Sequence, residues 1–385
     1  MIIHIITRLA MGGAQQLTYE LAKRINNTDR SVAIFTGLSH HNKSLSAKDN
    51  IILDKVIHEN IPHEIIPTLN DRISFINDLK SLISIYRLLR TYKPSVIHIH
   101  SSKTGILGRL ACYFLGINNV IYHVHGWSFS REIGFKNRIY FYLEKVFYFI
   151  TKKYIFVCKQ DRTDFIRMGG NHKIIYKSTI IYPGASFLNT KLQTQYREKI
   201  RQQLGFNNSD FVIGTIARID HQKNPIIFVK IANNYSSIDD NAKFLWIGKG
   251  PLESEMKNNI NKLDLENKFV LPGYINNVEL YFSVFDVFLI TSKYEGLPVT
   301  ALKAIACGIP VVGFNINGIC DLSIMFNSCF GVNPFDIDEF ISKVIEAKEF
   351  SIKHKKLINK DSSYIRKTFS LERMYDKITM VYDFD

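Results

Sequence analysis

Short runs rich in β-branched residues alternate along the chain with longer segments whose apolar residues recur every three or four positions. In the first half the runs are IIHIIT (2–7), VAIFTG (32–37), VIHIH (96–100), VIYHVH (120–125), YIFVC (154–158) and IIYP (180–183). In the second half they are FVIGTIA (211–217), KFLWIG (243–248), KFVLPG (268–273), DVFLIT (286–291) and PVVGF (310–314). Several are apolar on successive residues, the pattern of parallel strands covered on both faces. Alternation with helical segments predicts βαβ units. Each half therefore reads as a doubly wound α/β domain, with the seam near 184–195 after the turn-like YPGAS and a helical closing stretch from about 362. Ligands of such sheets bind beyond the carboxyl ends of the strands, where loop amides and helix N-termini converge. Two such sheets predict a cleft between the halves.

A length of 385 residues suits two domains better than one core. No internal repeat is visible, and the apolar run at the start is too short for a signal peptide. No run of 18 apolar residues exists to span a membrane. The five cysteines form no CxxC pair and no cluster with histidine along the sequence, which argues against a zinc site or a disulfide framework and suits a reducing cytosol. The net charge of +14 is uneven: residues 1–185 hold 25 Lys+Arg against 12 Asp+Glu, the remainder 24 against 23. A basic first half attracts nucleic acid, anionic lipid or a phosphorylated substrate. No zinc-finger, basic-zipper or RNP-type motif accompanies the charge, so a nucleic-acid partner is set aside.

Three stretches at strand ends carry candidate chemistry. In IGTIARIDHQKNP (213–225), Arg218 and Lys223 lie just beyond a strand and just before a helix, where two cations can grip a diphosphate. Solvated surface charges are the alternative. In WIGKGPLE (246–253), Gly248 and Gly250 permit a tight turn with close backbone approach. In YEGLPVTALKAIACGIPVV (294–312), Glu295 precedes Gly296, Leu297 and Pro298 at the mouth of a helix over 299–307. First-turn amides there favour an anion, and a carboxylate beside them can accept from sugar hydroxyls. A helix-capping glutamate is the competing reading.

Taken in order, these pieces resemble the retaining GT-B glycosyltransferases of family 4. The resemblance covers nearly the whole chain and also rests on GGAQQ (12–16), HIHSSKTGILGRLA (98–111), HVHGWSF (123–129) and GKGPL (248–252). It implies an α/β GT-B fold: two Rossmann-like domains facing across a cleft. Residues 1–187 would bind the acceptor, 188–365 would bind a nucleotide sugar, and 366–385 would form a helix crossing back to the first domain. It implies no cofactor beyond the nucleotide sugar and no metal. By the same resemblance, Arg218 and Lys223 would hold the departing diphosphate and Glu295 the donor sugar. Gly296 to Pro298, Gly248 and Gly250 would line the donor site. Gly12 and Gly13 would form a turn near donor phosphates, and His125 would be a catalytic histidine in the cleft. The pattern departs at Lys303, where the family carries a second glutamate for the nucleotide ribose. Loss of that charged acceptor costs roughly 1.5–3 kcal/mol, and Lys303→Glu is expected to tighten UDP binding. Asn317 also stands where a Gly-Gly pair is common.

Residues 138–153 have helical spacing. Ile139, Leu143, Val146 and Ile150 fall on one face; Arg138, Phe141, Lys145, Tyr148 and Lys152 fall on the other. Aromatics among cations suit an anionic membrane interface and a lipid-linked acceptor, with a core helix as the alternative. The resulting expectation is a metal-independent retaining transferase, peripheral on the inner face of a bacterial membrane. It would move a hexose or N-acetylhexosamine from a UDP-linked donor to a polyprenyl-diphosphate-linked saccharide of capsule, O-antigen or exopolysaccharide. Two competing functions are a weakened scaffold member of a polysaccharide-assembly complex, motivated by Lys303, and a sugar-nucleotide epimerase on a similar fold.

Overall fold

The segment Ile2–Arg8 is buried on both faces because it lies inside a parallel sheet. Ile2 stands opposite Val32 on one side and Val96 on the other. The computed structural model describes residues 1–10, 12–38, 51–127 and 135–383. The chain divides into two units: Met1–Pro183 with Tyr375–Asp385, and Gly184–Met374.

The first unit carries β1 (Ile2–Arg8), β2 (Val32–Gly37), β3 (His63–Ile65), β4 (Val96–His100), β5 (Val120–Val124), β6 (Lys153–Phe156) and β7 (Ser178–Ile180). They align in the order β3-β2-β1-β4-β5-β6-β7, all parallel. The second carries β8 (Phe211–Ile216), β9 (Ala242–Ile247), β10 (Phe269–Gly273), β11 (Val287–Ile290), β12 (Val311–Phe314) and β13 (Cys329–Val332). Their order is β10-β9-β8-β11-β12-β13. Both sheets thus share the doubly wound sequence that reverses direction beside its first strand, which leaves a crevice at the carboxyl ends there. In each unit, helices bury Leu, Ile, Val and Phe against the sheet. A fully buried side chain of this kind contributes about 1.5–3 kcal/mol. β3 (HEI) and β13 (CFGV) escape the sequence pattern because each holds a single β-branched residue and forms no continuous β-branched run.

The last helix, Leu371–Tyr382, belongs to the first unit from Tyr375 onward. There Arg30 meets Asp383 at 2.6 Å, Arg24 lies over the Tyr375 ring, and the Tyr382 hydroxyl reaches His98 Nδ1 at 2.6 Å. Inside the same unit, Arg109 of helix Ser102–Leu115 is fully buried and makes a two-pronged ion pair with Glu144 of helix Phe135–Phe147, at 2.7 and 2.8 Å. Its guanidinium also stacks near the Tyr122 and Phe147 rings. Burial alone would lower the Arg109 pKa, but the Glu144 carboxylate outweighs it and the guanidinium is held charged.

Glu144 also corrects the expected faces of helix Phe135–Phe147. Phe141, Phe147 and Tyr148 are buried with Glu144, whereas Ile139, Tyr142, Val146 and Phe149 are exposed. The inward stripe is set by the Arg109 contact and by Phe165, against which Phe141 packs. Phe141 and Tyr148 therefore cannot form an outer face. Arg138 and Lys145 are exposed and Lys152 is half-buried. Of the HVHGWSF stretch, Ser128 and Phe129 lie outside the described residues.

Candidate active site

In the second unit, Lys223 and Glu295 meet beyond β8 and β11, while Arg218 pairs within its own loop with Asp220 and Gln222. The chain leaves β8 at Arg218 and must reverse before helix Pro225–Ser236. Asn224 adopts a left-handed conformation (φ 54°) directly before Pro225, a backbone state that Asn tolerates better than most residues. This reversal points Lys223 at Glu295, and their side chains form an ion pair. Glu295 also accepts from the Ser292 hydroxyl at 2.7 Å. Two further bonds join the loops: Thr291 Oγ1 donates to the Lys223 carbonyl at 2.9 Å, and the Lys293 amide donates to the Gln222 carbonyl at 2.8 Å. Arg218 is exposed and pairs with Asp220 at 2.9 Å. Two cations and two carboxylates thus balance, and an arriving diphosphate would exchange carboxylate for phosphate at one or both cations.

The glycines of WIGKGPLE answer to a backbone crossing. A Cβ at Gly248 (φ 148°) would lie 1.9 Å from the Ala217 carbonyl oxygen, and one at Gly250 2.2 Å from that of Ile219. The Ile219 amide donates to the Lys249 carbonyl at 3.0 Å. Both glycines therefore fix the loop that carries Arg218. Gly296 plays a similar part, since its carbonyl accepts from the Gly318 amide at 2.9 Å. Leu297 is buried beneath it. Helix Val299–Ala306 begins after Pro298 with no side-chain cap, so Glu295 is a partner of Lys223 and not the helix cap. Lys303, midway along that helix, is turned to Glu279 at 2.8 Å. Glu279, Asp220 and Ser292 carry no motif of their own, and only the fold reveals them.

In the first unit, Gly12 is the N-cap of helix Gly13–Asn26 and Gly13 its first residue. His125 follows β5, with β4 lying between β5 and β1 in the sheet. The absence of a histidine cluster along the sequence does not survive folding. His4 of β1, His98 and His100 of β4, and His123 and His125 of and after β5 stack together, ring to ring. Their bonds form two chains: His4 Nδ1 to His100 Nε2 (3.0 Å) and His100 Nδ1 to His125 Nε2 (3.1 Å); and His98 Nε2 to His123 Nδ1 (3.2 Å). Burial pushes the His4 and His125 pKa values down to about 3, and burial with neighbouring rings holds His98, His100 and His123 well below the usual range. The H-x-H spacing in HIH and HVH was the available signal, since residues two apart share one strand face.

Residues 11–185 match glycosyltransferase family 4, and residues 196–363 match the glycosyl transferases group 1. The chain is 31% identical over 361 residues, 88% of both chains, to the UDP-Gal:alpha-D-GlcNAc-diphosphoundecaprenol alpha-1,3-galactosyltransferase of Escherichia coli. The chain belongs to this glycosyltransferase family. The glycosyltransferase is also 27% identical to the capsular polysaccharide biosynthesis glycosyltransferase CapM of Staphylococcus aureus, over 83% of this chain and 86% of that one. Its fold is GT-B, shared with Anabaena Alr3699/HepE, a structure determined in complex with UDP-glucose: the TM-score is 0.78 over 98% of each chain, at 20% identity. The glycosyltransferase is thus similar to enzymes of bacterial polysaccharide synthesis.

Proposed function

We propose that the glycosyltransferase moves a hexose or N-acetylhexosamine from a UDP-linked donor to a polyprenyl-diphosphate-linked saccharide, with retention and without a metal ion. The observation that carries this reading is the contact of Lys223 with Glu295 beside Arg218. A diphosphate binder and a sugar-hydroxyl acceptor sit within one side chain of each other there. In the proposed step, an acceptor hydroxyl oxygen bonds to the anomeric carbon on the face the diphosphate leaves. The bond from that carbon to the phosphate oxygen breaks, and the hydroxyl proton passes to the departing phosphate. Arg218 and Lys223 offset the charge growing on that phosphate, and Glu295 orients the sugar. The activity of the Escherichia coli relative supports both the UDP donor and the lipid-linked acceptor.

Calorimetric titration with UDP, GDP, ADP and dTDP tests the donor site. UDP is expected to bind selectively, and Arg218→Ala to weaken it at least about tenfold, as for a lost charge-assisted bond. A folded protein that binds no nucleotide would remove the reading and favour a scaffold.

Lys303 requires a different substitution from the one its position first implies. With Glu279 at 2.8 Å, Lys303→Glu would set two carboxylates side by side, so the single change is expected to leave UDP binding no tighter. Lys303→Glu combined with Glu279→Gln removes the repulsion and is expected to tighten UDP roughly tenfold by restoring an acceptor for the ribose. Isothermal titration of both variants decides this, and tightening in the single variant would show that Glu279 does not oppose the new charge.

The lipid acceptor implies work at a membrane surface, on its inner face in our reading. No helix among the described residues is long and apolar enough to cross one. Helix Phe75–Tyr92 instead exposes Phe75 (84%), Ile76, Leu79 and Ile83 on one face, with Arg72, Lys80 and Arg87 also exposed. An apolar stripe with flanking cations suits shallow insertion among anionic headgroups. Phe75→Asp with Ile76→Asp is expected to abolish co-sedimentation with phosphatidylglycerol vesicles. Unchanged sedimentation would remove this helix from the surface.

A further inference from the structure

The five stacked histidines are more than the proposed transfer uses. Three of them, His100, His123 and His125, each offer a ring nitrogen, and the three ligand atoms lie within 4.8 Å of one another. We propose that these three residues bind one divalent transition cation of the zinc class, leaving a fourth position open to water or an anionic oxygen. The argument is geometric. His100 Nδ1 and His125 Nε2 are 3.1 Å apart, close to the edge of a tetrahedron whose metal–nitrogen bonds are about 2.0–2.1 Å. His123 uses Nδ1 toward His98, and its Nε2 is buried with no hydrogen-bond partner among the described residues. That orphaned nitrogen is the third donor.

The surroundings complete the arrangement. Metal-bound imidazoles are oriented by donating their other N–H to a second group. Here His100 Nε2 lies 3.0 Å from His4 Nδ1, and His123 Nδ1 lies 3.2 Å from His98 Nε2. His98 in turn reaches the Tyr382 hydroxyl through Nδ1 at 2.6 Å. One tautomer set satisfies every one of these bonds with all three ligand nitrogens unprotonated. Among the described residues no carboxylate belongs to the cluster, which favours zinc, nickel, cobalt or copper over magnesium or calcium. The inner trio of His4, His98 and His100 is fully buried, whereas His125 is half-buried and gives an ion a way in. The transfer step proposed above does not pass through this ion, and neither reading depends on the other.

The test uses full-length protein stripped with chelator and then titrated with Co2+, whose visible absorption reports nitrogen-rich four-coordination. Bound metal is counted by mass spectrometry after desalting. One ion per chain with that spectrum is expected, and His125→Ala and His123→Ala are each expected to lower uptake at least tenfold. Zn2+ is expected to raise the unfolding temperature of the wild type and not that of His125→Ala, a half-buried position where the variant should fold. No retained metal overturns the proposal. So does wild-type uptake by His125→Ala, which would assign the ion to surface histidines such as His58 or His172.

Discussion

Lys223→Ala is expected to lower kcat by about 10²–10³-fold at saturating donor, with the unfolding temperature little changed. A group aimed at charge that develops in the transition state contributes on this scale. Lys223 sits at the carboxyl end of β8, where its backbone is held by Thr291 and its side chain reaches Glu295. Removing the amine leaves the loop bonds in place and leaves Ser292 still donating to the Glu295 carboxylate. The loss should therefore appear in turnover and not in folding. Glu295→Ala tests the other partner, and the two changes together should cost less than their separate costs added, because each frees the other from its contact. Steady-state transfer from a UDP-sugar, with circular dichroism on the same samples, reads both quantities. A kcat within fivefold of wild type would show that Lys223 does not face the leaving phosphate.

Glu144→Ala is expected to destabilise the chain by about 3–5 kcal/mol, the cost of stranding one member of a buried ion pair. Arg109 has no exposed surface, and without Glu144 its guanidinium would keep, among the described residues, hydrogen bonds to the Thr151 hydroxyl and the Gly105 carbonyl and the Tyr122 and Phe147 rings, but no opposite charge. Replacing both partners at once, as Arg109→Met with Glu144→Leu, is expected to recover most of the loss because no buried charge is left unpaired. Urea unfolding of the three variants measures the pattern through the shift of midpoint at constant slope. If the double variant is as unstable as the single one, the pair is needed for packing of the two helices and not merely for charge balance.

Sequence alone determined the two doubly wound sheets, because strands buried on both faces must be apolar on successive residues and the helices between them must be amphipathic. It also placed Arg218, Lys223 and Glu295 at strand ends, where ordered motifs recur. The folded chain brought Lys223 against Glu295, through the turn at Asn224 and Pro225 and the bond from Thr291. Tertiary structure alone decided three matters. It chose which face of helix Phe135–Phe147 is inward, because Arg109, 35 residues away, needs Glu144. It paired Lys303 with Glu279 across 24 residues. It gathered histidines from β1, β4 and β5 into one stack. Each of these depends on which side chains meet across separate elements. Local periodicity reports only how one segment divides between core and solvent. It is silent about the partner that a distant strand or helix brings to the same point.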